Sequence, residues 1–427
     1  MRICIVCGKL NHGGAERVAV ALANGFVERG HQVTIVSNLY EEVTYGIDKR
    51  VQLKNLVASN HQKLKKWFSA IGILRGYLKE NKPDVIIGIM QLFSVIAKIA
   101  SRGMNIPLVM TEHDSFERPN SAPFSKRDYF CKYYLNRIYK HVTVLTQADK
   151  DVIGHRLKHV AVMPNPLFLT PVEIVSEKEK VVLASGRLYD WHYKGLDVLL
   201  QAWSKIISNE LLVISNYDYS QDGKPSHWWL KIAGIGTEES LQYLMNLLPD
   251  GEWVFNDNDK HSNTKNTEEK GIDTDKLNSQ KCGVWRSEKY RIKFLGFRKD
   301  IEKMYKKSSI FVLSSRYEGF GLVLIEAMSQ GCAPVACDYK GRQREILNPS
   351  SALPEGEGEP NRKIEITENG ILCEPDDVKA LASALKKMIE DEVYRKKVQL
   401  HAVERSKFYS MENTMNRWEE YLKNIVS

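Results

Sequence analysis

Residues 310–336, IFVLSSRYEGFGLVLIEAMSQGCAPVA, decide how the chain is read. The apolar run 310–313 suits a strand, and SSRYEGFG brings the glycines of a turn. A helix starts near Leu322 and runs to about residue 330; Gly331 follows, and 333–336 reads as the next strand. Backbone N–H groups at such a helix start attract anions, and Gly319 and Gly321 allow a ligand to come close. Glu318 lies in the turn and Glu326 about one turn inside the helix, so two acids eight residues apart can reach one cleft at different depths. Taken alone, the stretch is equally an ordinary helix start carrying surface acids.

The same alternation runs outward. Helix 300–307 and strand 309–313 stand before the turn, preceded by strand 180–185, helix 197–207, strand 228–233, helix 238–248 and strand 291–295. The chain opens in the same way, with strand 1–7, a Gly-bearing loop 8–14, helix 15–29 stopped by Gly30, and strand 31–37. Helix 64–80, strand 84–89, helix 92–102, strand 107–111, helix 126–139 and strand 141–146 follow. Strands alternating with helices indicate parallel sheets covered on both faces. Pro164-Asn165-Pro166 interrupts the pattern and marks a linker. The chain therefore reads as α/β, with two Rossmann-like domains, 1–165 and 175–410, whose parallel sheets face a central cleft. Helix 412–425 carries Trp418, Tyr421 and Leu422 at helical spacing and is expected to pack back on the first domain. Stretches 214–227, 251–289 and 348–367 hold few groups to bury and read as surface insertions.

Composition is that of a globular protein, with 43% apolar and 27% charged residues among 427. No run is long and apolar enough for a membrane-spanning helix, and the start lacks a secretory pattern, so a cytoplasmic protein is expected. Seven scattered cysteines argue against a disulfide framework. Cys4 and Cys7 form a CxxC inside the first strand without partner ligands, so no metal site is expected there. Residues 1–170 carry 24 basic and 13 acidic side chains, against 37 and 40 in the remainder. The basic first half calls for an anionic partner: nucleic acid, a membrane surface or a diphosphate-bearing acceptor.

Three further stretches carry candidate chemistry. In SGRLYDWHYKGLDVLL (185–200), Arg187 and Lys194 follow a strand, and two cations there suit a diphosphate; alone, two basic loop residues are more often solvated surface. Gly13-Gly14-Ala15-Glu16 resembles half of a dinucleotide fingerprint but lacks GxGxxG. Thr111-Glu112-His113-Asp114 ends a strand, where parallel sheets place ligand groups, although a structural histidine would serve there too.

Together these motifs resemble family 4 of the GT-B glycosyltransferases. The resemblance rests on the E-x7-E pair Glu318 and Glu326 within EGFGLVLIEAM, with Gly-Gly at 13–14, His113, Asn165-Pro166, Gly186-Arg187, Lys194-Gly195, 294–296 (FLG) and 369–372 (NGIL) in family order. The sequence departs from the family at its three insertions and at 341–345 (GRQRE), where Gly-Pro-x-Glu is usual. The resemblance implies a retaining sugar transfer from a nucleotide sugar to an acceptor. Arg187 and Lys194 would hold the donor diphosphate, aided by backbone N–H groups of Gly319, Phe320, Gly321 and Leu322. Glu318 would bind donor-sugar hydroxyls, Glu326 the ribose, and His113 the sugar from the first domain, while Gly14 would let its loop approach the phosphates. No cofactor and no metal are expected; Asp257-Asn258-Asp259 lies in a polar insertion without a visible ligand shell.

The opening GGAER and the TEH motif look similar to polysaccharide and O-antigen transferases using UDP-sugars, with GDP-mannose as the other donor. A GT-B-like nucleotide-sugar epimerase would share the architecture but need no acceptor. No nucleic-acid-binding signature is present. The expected partners are the nucleotide-sugar donor, a lipid-linked or glycan acceptor, and an anionic membrane surface. The membrane reading rests on two basic, aromatic stretches: Lys63, Lys65, Lys66, Trp67 and Phe68 with Arg75 and Lys79, and 124–140 with Lys126, Arg127, Tyr129, Phe130, Lys132, Tyr133, Tyr134, Arg137, Tyr139 and Lys140.

Overall fold

A computed structural model describes residues 1–11, 14–40, 43–57, 63–119, 123–157, 159–210, 227–248, 250–256, 284–348 and 364–426. Gly13, the Asp257-Asn258-Asp259 tripeptide and most of the three insertions lie outside the described residues, as do the side chains of residues 63–67.

The first half forms one seven-stranded parallel sheet. Its elements are β1 (Arg2–Val6), α1 (Gly14–Glu28), β2 (Gln32–Ser37), β3 (Gln52–Asn55), α2 (Lys63–Asn81), β4 (Val85–Ile89), α3 (Met90–Ala100), β5 (Leu108–Thr111), α4 (Lys126–Tyr133), β6 (His141–Val144), α5 (Gln147–Ile153) and β7 (His159–Val162). The strand order is β3-β2-β1-β4-β5-β6-β7. β4 (VIIGI) is buried at every position because helices cover both faces of the sheet, which is why it reads as an unbroken apolar run. α1 presents Val18, Leu22 and Phe26 to one face, where they meet Ile3 and Ile5; Leu74 and Leu78 of α2 and Ile96 of α3 meet Cys4 and Val6 on the other. Gly30 stops α1 in the left-handed conformation, φ 81°, which only glycine adopts without strain.

The second half comprises β8 (Glu179–Ser185), α6 (Leu196–Glu210), β9 (Trp229–Ala233), α7 (Glu238–Asn246), β10 (Val254–Asn256), β11 (Val284–Ser287), β12 (Ile292–Phe294), α8 (Ile301–Lys307), β13 (Ser308–Leu313), α9 (Leu322–Ser329), β14 (Ala333–Cys337), α10 (Arg342–Leu347), β15 (Ile364–Thr367), β16 (Gly370–Cys373), α11 (Val378–Glu390) and α12 (Glu392–Ser406). Among the described residues its nine strands are ordered β10-β11-β12-β9-β8-β13-β14-β16-β15, with antiparallel strands at both edges of a parallel centre. The last helix, α13 (Met411–Val426), belongs with the first half. The chain divides into Met1–Phe168 with Tyr409–Ser427, and Leu169–Phe408. Met415, Trp418 and Leu422 of α13 join the core of α1, and Phe26 meets the Trp418 ring edge-on at 6.5 Å.

Several expectations need correcting. The helix read over 126–139 breaks at Tyr134 and continues only as a 3-10 turn, Leu135–Ile138. Lys132 turns inward there and donates to the carbonyls of Asp114 and Ser115, and the Asn136 amide takes the Lys132 carbonyl. The insertion at 251–289 begins and ends in paired strands, β10 and β11, and that at 348–367 ends in β15. These strands are three or four residues long and sit at or next to the sheet edges, so they show little alternation. No described helix is long and apolar enough to cross a membrane.

Candidate active site

In the second half the chain leaves β8 first toward β9 and later returns to lay β13 on the other side of β8. That reversal opens a crevice at the carboxyl ends of β8 and β13, where doubly wound sheets bind ligands. The loops after these two strands, 186–195 and 314–321, carry Arg187, Lys194 and Glu318, and Glu326 follows in α9.

The two loops are bound together tightly. Lys194 Nζ lies 2.6 Å from Glu318 Oε1, and the Ser315 hydroxyl donates to the same oxygen at 2.8 Å. Oε1 of Glu318 is thus engaged from both loops. The Ser314 hydroxyl donates to the Lys194 carbonyl at 2.8 Å. Gly195 lies beside it at φ 58°, and a Cβ there would collide with the Ser314 carbonyl. Gly234, after β9, is equally constrained: a Cβ would strike the Gly186 carbonyl. Glycine at these positions permits close approach of backbones under the crevice.

Gly321 caps α9 in the left-handed region, φ 98°, and turns the chain from the Glu318 loop into the helix. Phe320 packs inward, and Glu326 is buried at 5% exposure in the second turn of α9. The two acids therefore differ in environment, Glu318 lining the loop surface and Glu326 sitting within. Arg187 stands apart. Its guanidinium pairs with Asp190 at 2.8 Å and lies over the Tyr189 ring, mostly in solvent. The sequence pairs Arg187 with Lys194 as diphosphate ligands; among the described residues Arg187 contacts Asp190 and Lys194 contacts Glu318.

In the first half, Gly14 opens α1, and a Cβ there would meet nothing within 4 Å, so the position is roomy. His113 follows β5. Its Nδ1 lies 3.1 Å from the Asn165 side-chain oxygen and its Nε2 3.0 Å from the Thr111 hydroxyl. That hydroxyl also donates to the Gly88 carbonyl at 3.1 Å, and one hydroxyl has one proton to give. With Nδ1–H donating to the Asn165 oxygen, the neutral ring accepts on Nε2, so the single Thr111 proton is shared between Nε2 and the Gly88 carbonyl. Burial holds the imidazole neutral, lowering its pKa to about 4, with Asn165 opposing the shift. Both ring nitrogens are used inside this half, which the sequence did not anticipate. Neighbouring Glu112 is buried 3.4 Å from the Lys132 ammonium. Burial raises its pKa, and the Lys132 charge pulls it back.

The chain matches two families: Glycosyltransferase Family 4 over residues 12–169 and Glycosyl transferases group 1 over residues 281–405. The chain belongs to the family 4 type of GT-B glycosyltransferases. An uncharacterized glycosyltransferase of Haemophilus influenzae is 25% identical over 96% of both chains. A GalNAc-α-(1→4)-GalNAc-α-(1→3)-diNAcBac-PP-undecaprenol α-1,4-N-acetyl-D-galactosaminyltransferase of Campylobacter jejuni is 25% identical over 100% of this chain and 99% of its own. Among solved structures, HepE from Anabaena in complex with UDP and glucose superposes with TM-score 0.65 at 18% identity, over 99% of this chain and 100% of its own. That likeness shows the GT-B fold of this glycosyltransferase.

Motif reading missed several residues of this glycosyltransferase. Ser315 and Arg316 were passed over inside the quoted stretch, and Asp197, in the first turn of α6, carried no signal of its own. Asn165 was noted as a motif but not joined to His113, because fifty-two residues separate them and only the pairing of β5, β6 and β7 brings them together. Gln91, just after β4, was also unseen. Its side-chain amide is shut off from solvent with no hydrogen-bond partner among the described residues.

Proposed function

We propose that this glycosyltransferase is a retaining enzyme. It moves a hexose or N-acetylhexosamine from a nucleotide sugar, a UDP-sugar by preference, to a lipid-linked or growing glycan in cell-surface polysaccharide synthesis. The observation that carries the proposal is the Lys194–Glu318 contact at the crevice between β8 and β13. A cation fits a diphosphate, a carboxylate fits sugar hydroxyls, and their contact sets the two groups side by side, as a sugar joined directly to a diphosphate requires. Relatives support the substrate class: the Campylobacter protein is a GalNAc transferase acting on an undecaprenyl-diphosphate glycan, and HepE was crystallised with UDP and glucose.

In this reading Lys194 and Arg187 bind the donor diphosphate, and Glu318 releases Lys194 to it while turning toward sugar hydroxyls. Glu326 binds the ribose, His113 contacts the sugar, and Gly14 gives the phosphates room. The acceptor hydroxyl oxygen forms a bond to the anomeric carbon on the face the leaving diphosphate vacates. The bond from that carbon to the diphosphate oxygen breaks, and the acceptor proton passes to a phosphate oxygen. Preorganised cations stabilise the charge that develops on the nucleoside diphosphate. No metal and no other cofactor enters this scheme. Basic and aromatic residues of the first half would hold the enzyme to the inner face of an anionic membrane, beside a lipid-linked acceptor.

A donor screen tests the proposal. UDP-GalNAc, UDP-GlcNAc, UDP-glucose, UDP-galactose and GDP-mannose are each incubated with an undecaprenyl-diphosphate-linked sugar, and released nucleotide is measured. Acceptor-dependent release from one donor, with the anomeric configuration kept in the product, is expected. Release of an altered nucleotide sugar without acceptor would instead identify an epimerase.

A further inference from the structure

Arg316 stands between Ser315 and Glu318 in the loop after β13, and it is buried at 8% exposure. Both ends of its guanidinium fork are engaged. Nη1 and Nη2 donate to the two carboxylate oxygens of Asp197 at 2.7 and 2.8 Å. Nη1 also donates to the His192 carbonyl at 2.6 Å, and Nε donates to the Asp376 carboxylate. Its backbone N–H donates to the Tyr193 carbonyl at 2.9 Å. One residue therefore joins three loops, those following β8, β13 and β16.

These bonds surround Lys194. The carbonyls of residues 192, 193 and 194 are taken in turn by the Arg316 side chain, the Arg316 backbone and the Ser314 hydroxyl. Asp197, three residues beyond Lys194, anchors the other end of the segment. Glu318 lies two residues past Arg316. The separation of the Lys194 ammonium from the Glu318 carboxylate is thus set by backbone segments that both hang on one guanidinium.

We propose that Arg316 is a positioning residue for the transfer reaction: it fixes the register between the Lys194 and Glu318 loops, so that both groups meet the donor diphosphate and sugar together. The proposal rests on the reading of Lys194 as the diphosphate-binding cation. The Arg316 guanidinium is taken up by Asp197, Asp376 and the His192 carbonyl, so its role in the reaction is to position rather than to bind the donor. A planar fork is needed, because an ammonium is a point charge and cannot span both Asp197 oxygens and the His192 carbonyl in one geometry.

The test compares Arg316→Lys, Asp197→Asn and Asp376→Asn with the wild type. Affinities for UDP and uridine, or for GDP and guanosine if that is the pair the wild type binds, are measured by calorimetry. Turnover is measured with the donor that the wild type uses. Arg316→Lys is expected to stay folded, to lose about tenfold or more in nucleoside diphosphate affinity and a comparable factor in kcat, and to keep its affinity for the free nucleoside. Asp197→Asn should follow in the same direction, and Asp376→Asn should matter least, because the Asp376 side chain is largely in solvent. Combining Arg316→Lys with Asp197→Asn should cost little more than either alone, since both cut one contact. Equal loss of diphosphate and nucleoside affinity would show that Arg316 merely holds the fold together, and wild-type affinities and turnover would show that it positions nothing; either result overturns the proposal. A wild type that binds neither diphosphate removes the donor reading itself, and is told apart because it precedes any substitution.

Discussion

The Lys194 ammonium lies 2.6 Å from Glu318 Oε1, held there from loops after two adjacent parallel strands. Each group partly neutralises the other, so an arriving diphosphate must displace Glu318 from Lys194. Removing either partner should then have distinct effects. Lys194→Ala is expected to weaken UDP or GDP binding far more than uridine or guanosine binding, and Arg187→Ala to do so less, because Arg187 is more exposed and already paired with Asp190. Glu318→Ala and Glu326→Ala should lose about a hundredfold or more in transfer while remaining folded. Nucleotide release and calorimetry check both expectations. Wild-type turnover in either acid variant would contradict the assignment of the pair.

How far these residues were legible follows from how local their signals are. The motif around Glu318 and Glu326 could be read because turn, helix start and acids are contiguous, and the alternation of strands and helices gave the parallel centres of both sheets. The strands β3, β7, β10, β11, β15 and β16 were missed because they run only three to four residues, several at sheet edges where alternation is weak. Arg316 escaped for another reason. An arginine in a polar loop looks solvated, and its burial is created by Asp197 and Asp376, 119 and 60 residues away. The pairing of His113 with Asn165 is likewise a product of sheet topology rather than of spacing.

The final helix should matter to the stability of the first half. Trp418 is buried against Phe26, and Glu419 ties the same surface to Arg29 at 3.2 Å and His31 at 2.7 Å. Trp418→Ala removes a large buried ring and is expected to cost about 3–5 kcal/mol. Hydrogen exchange should show the loss in β1 and α1 first, with the second half less affected. Uniform exchange rates matching the wild type would show that α13 contributes little to that core.

His113 gives a pH dependence whose sign can be worked out. Its folded pKa of about 4 lies below the ordinary value of 6.5. The unfolded chain therefore binds a proton between these values that the folded chain does not. The contribution is fully present above about pH 6.5 and is lost progressively as pH falls toward 4. The slope approaches about 1.4 kcal/mol per pH unit, for a total of no more than about 3.5 kcal/mol. Thermal melts of wild type and His113→Gln at pH 7, 5.5 and 4.5 check this. The wild type should lose more stability than the variant on acidification, and parallel losses would place the effect on other groups.

The surface of α4 and the turn after it supplies the last expectation. Tyr129, Phe130, Tyr134 and Ile138 are exposed, and Tyr129 and Phe130 stack against Tyr133 and Tyr134 in a continuous aromatic strip. Lys126, Arg127, Arg137 and Lys140 are exposed beside it. Aromatic rings suit a membrane interface, and each basic group near an anionic leaflet contributes roughly 1 kcal/mol. The structure also narrows the set that the sequence offered. Lys132 is buried against Glu112 and Tyr139 is buried, so these two do not face solvent as a membrane contact requires, and half-buried Arg75 is engaged by the carbonyls of Ala100 and Arg102. Co-sedimentation with vesicles of anionic and of neutral lipid, at low and high salt, measures the attachment. The protein should pellet with anionic vesicles at low salt and be released by high salt. Reversing Lys126 and Arg127 to Glu should release it from anionic vesicles, whereas Lys132→Gln should act on stability and leave vesicle binding of the folded protein in place. If the wild type ignores anionic vesicles at low salt, the basic surplus of the first half serves another partner, and the aromatic strip on α4 does not hold the enzyme to a membrane.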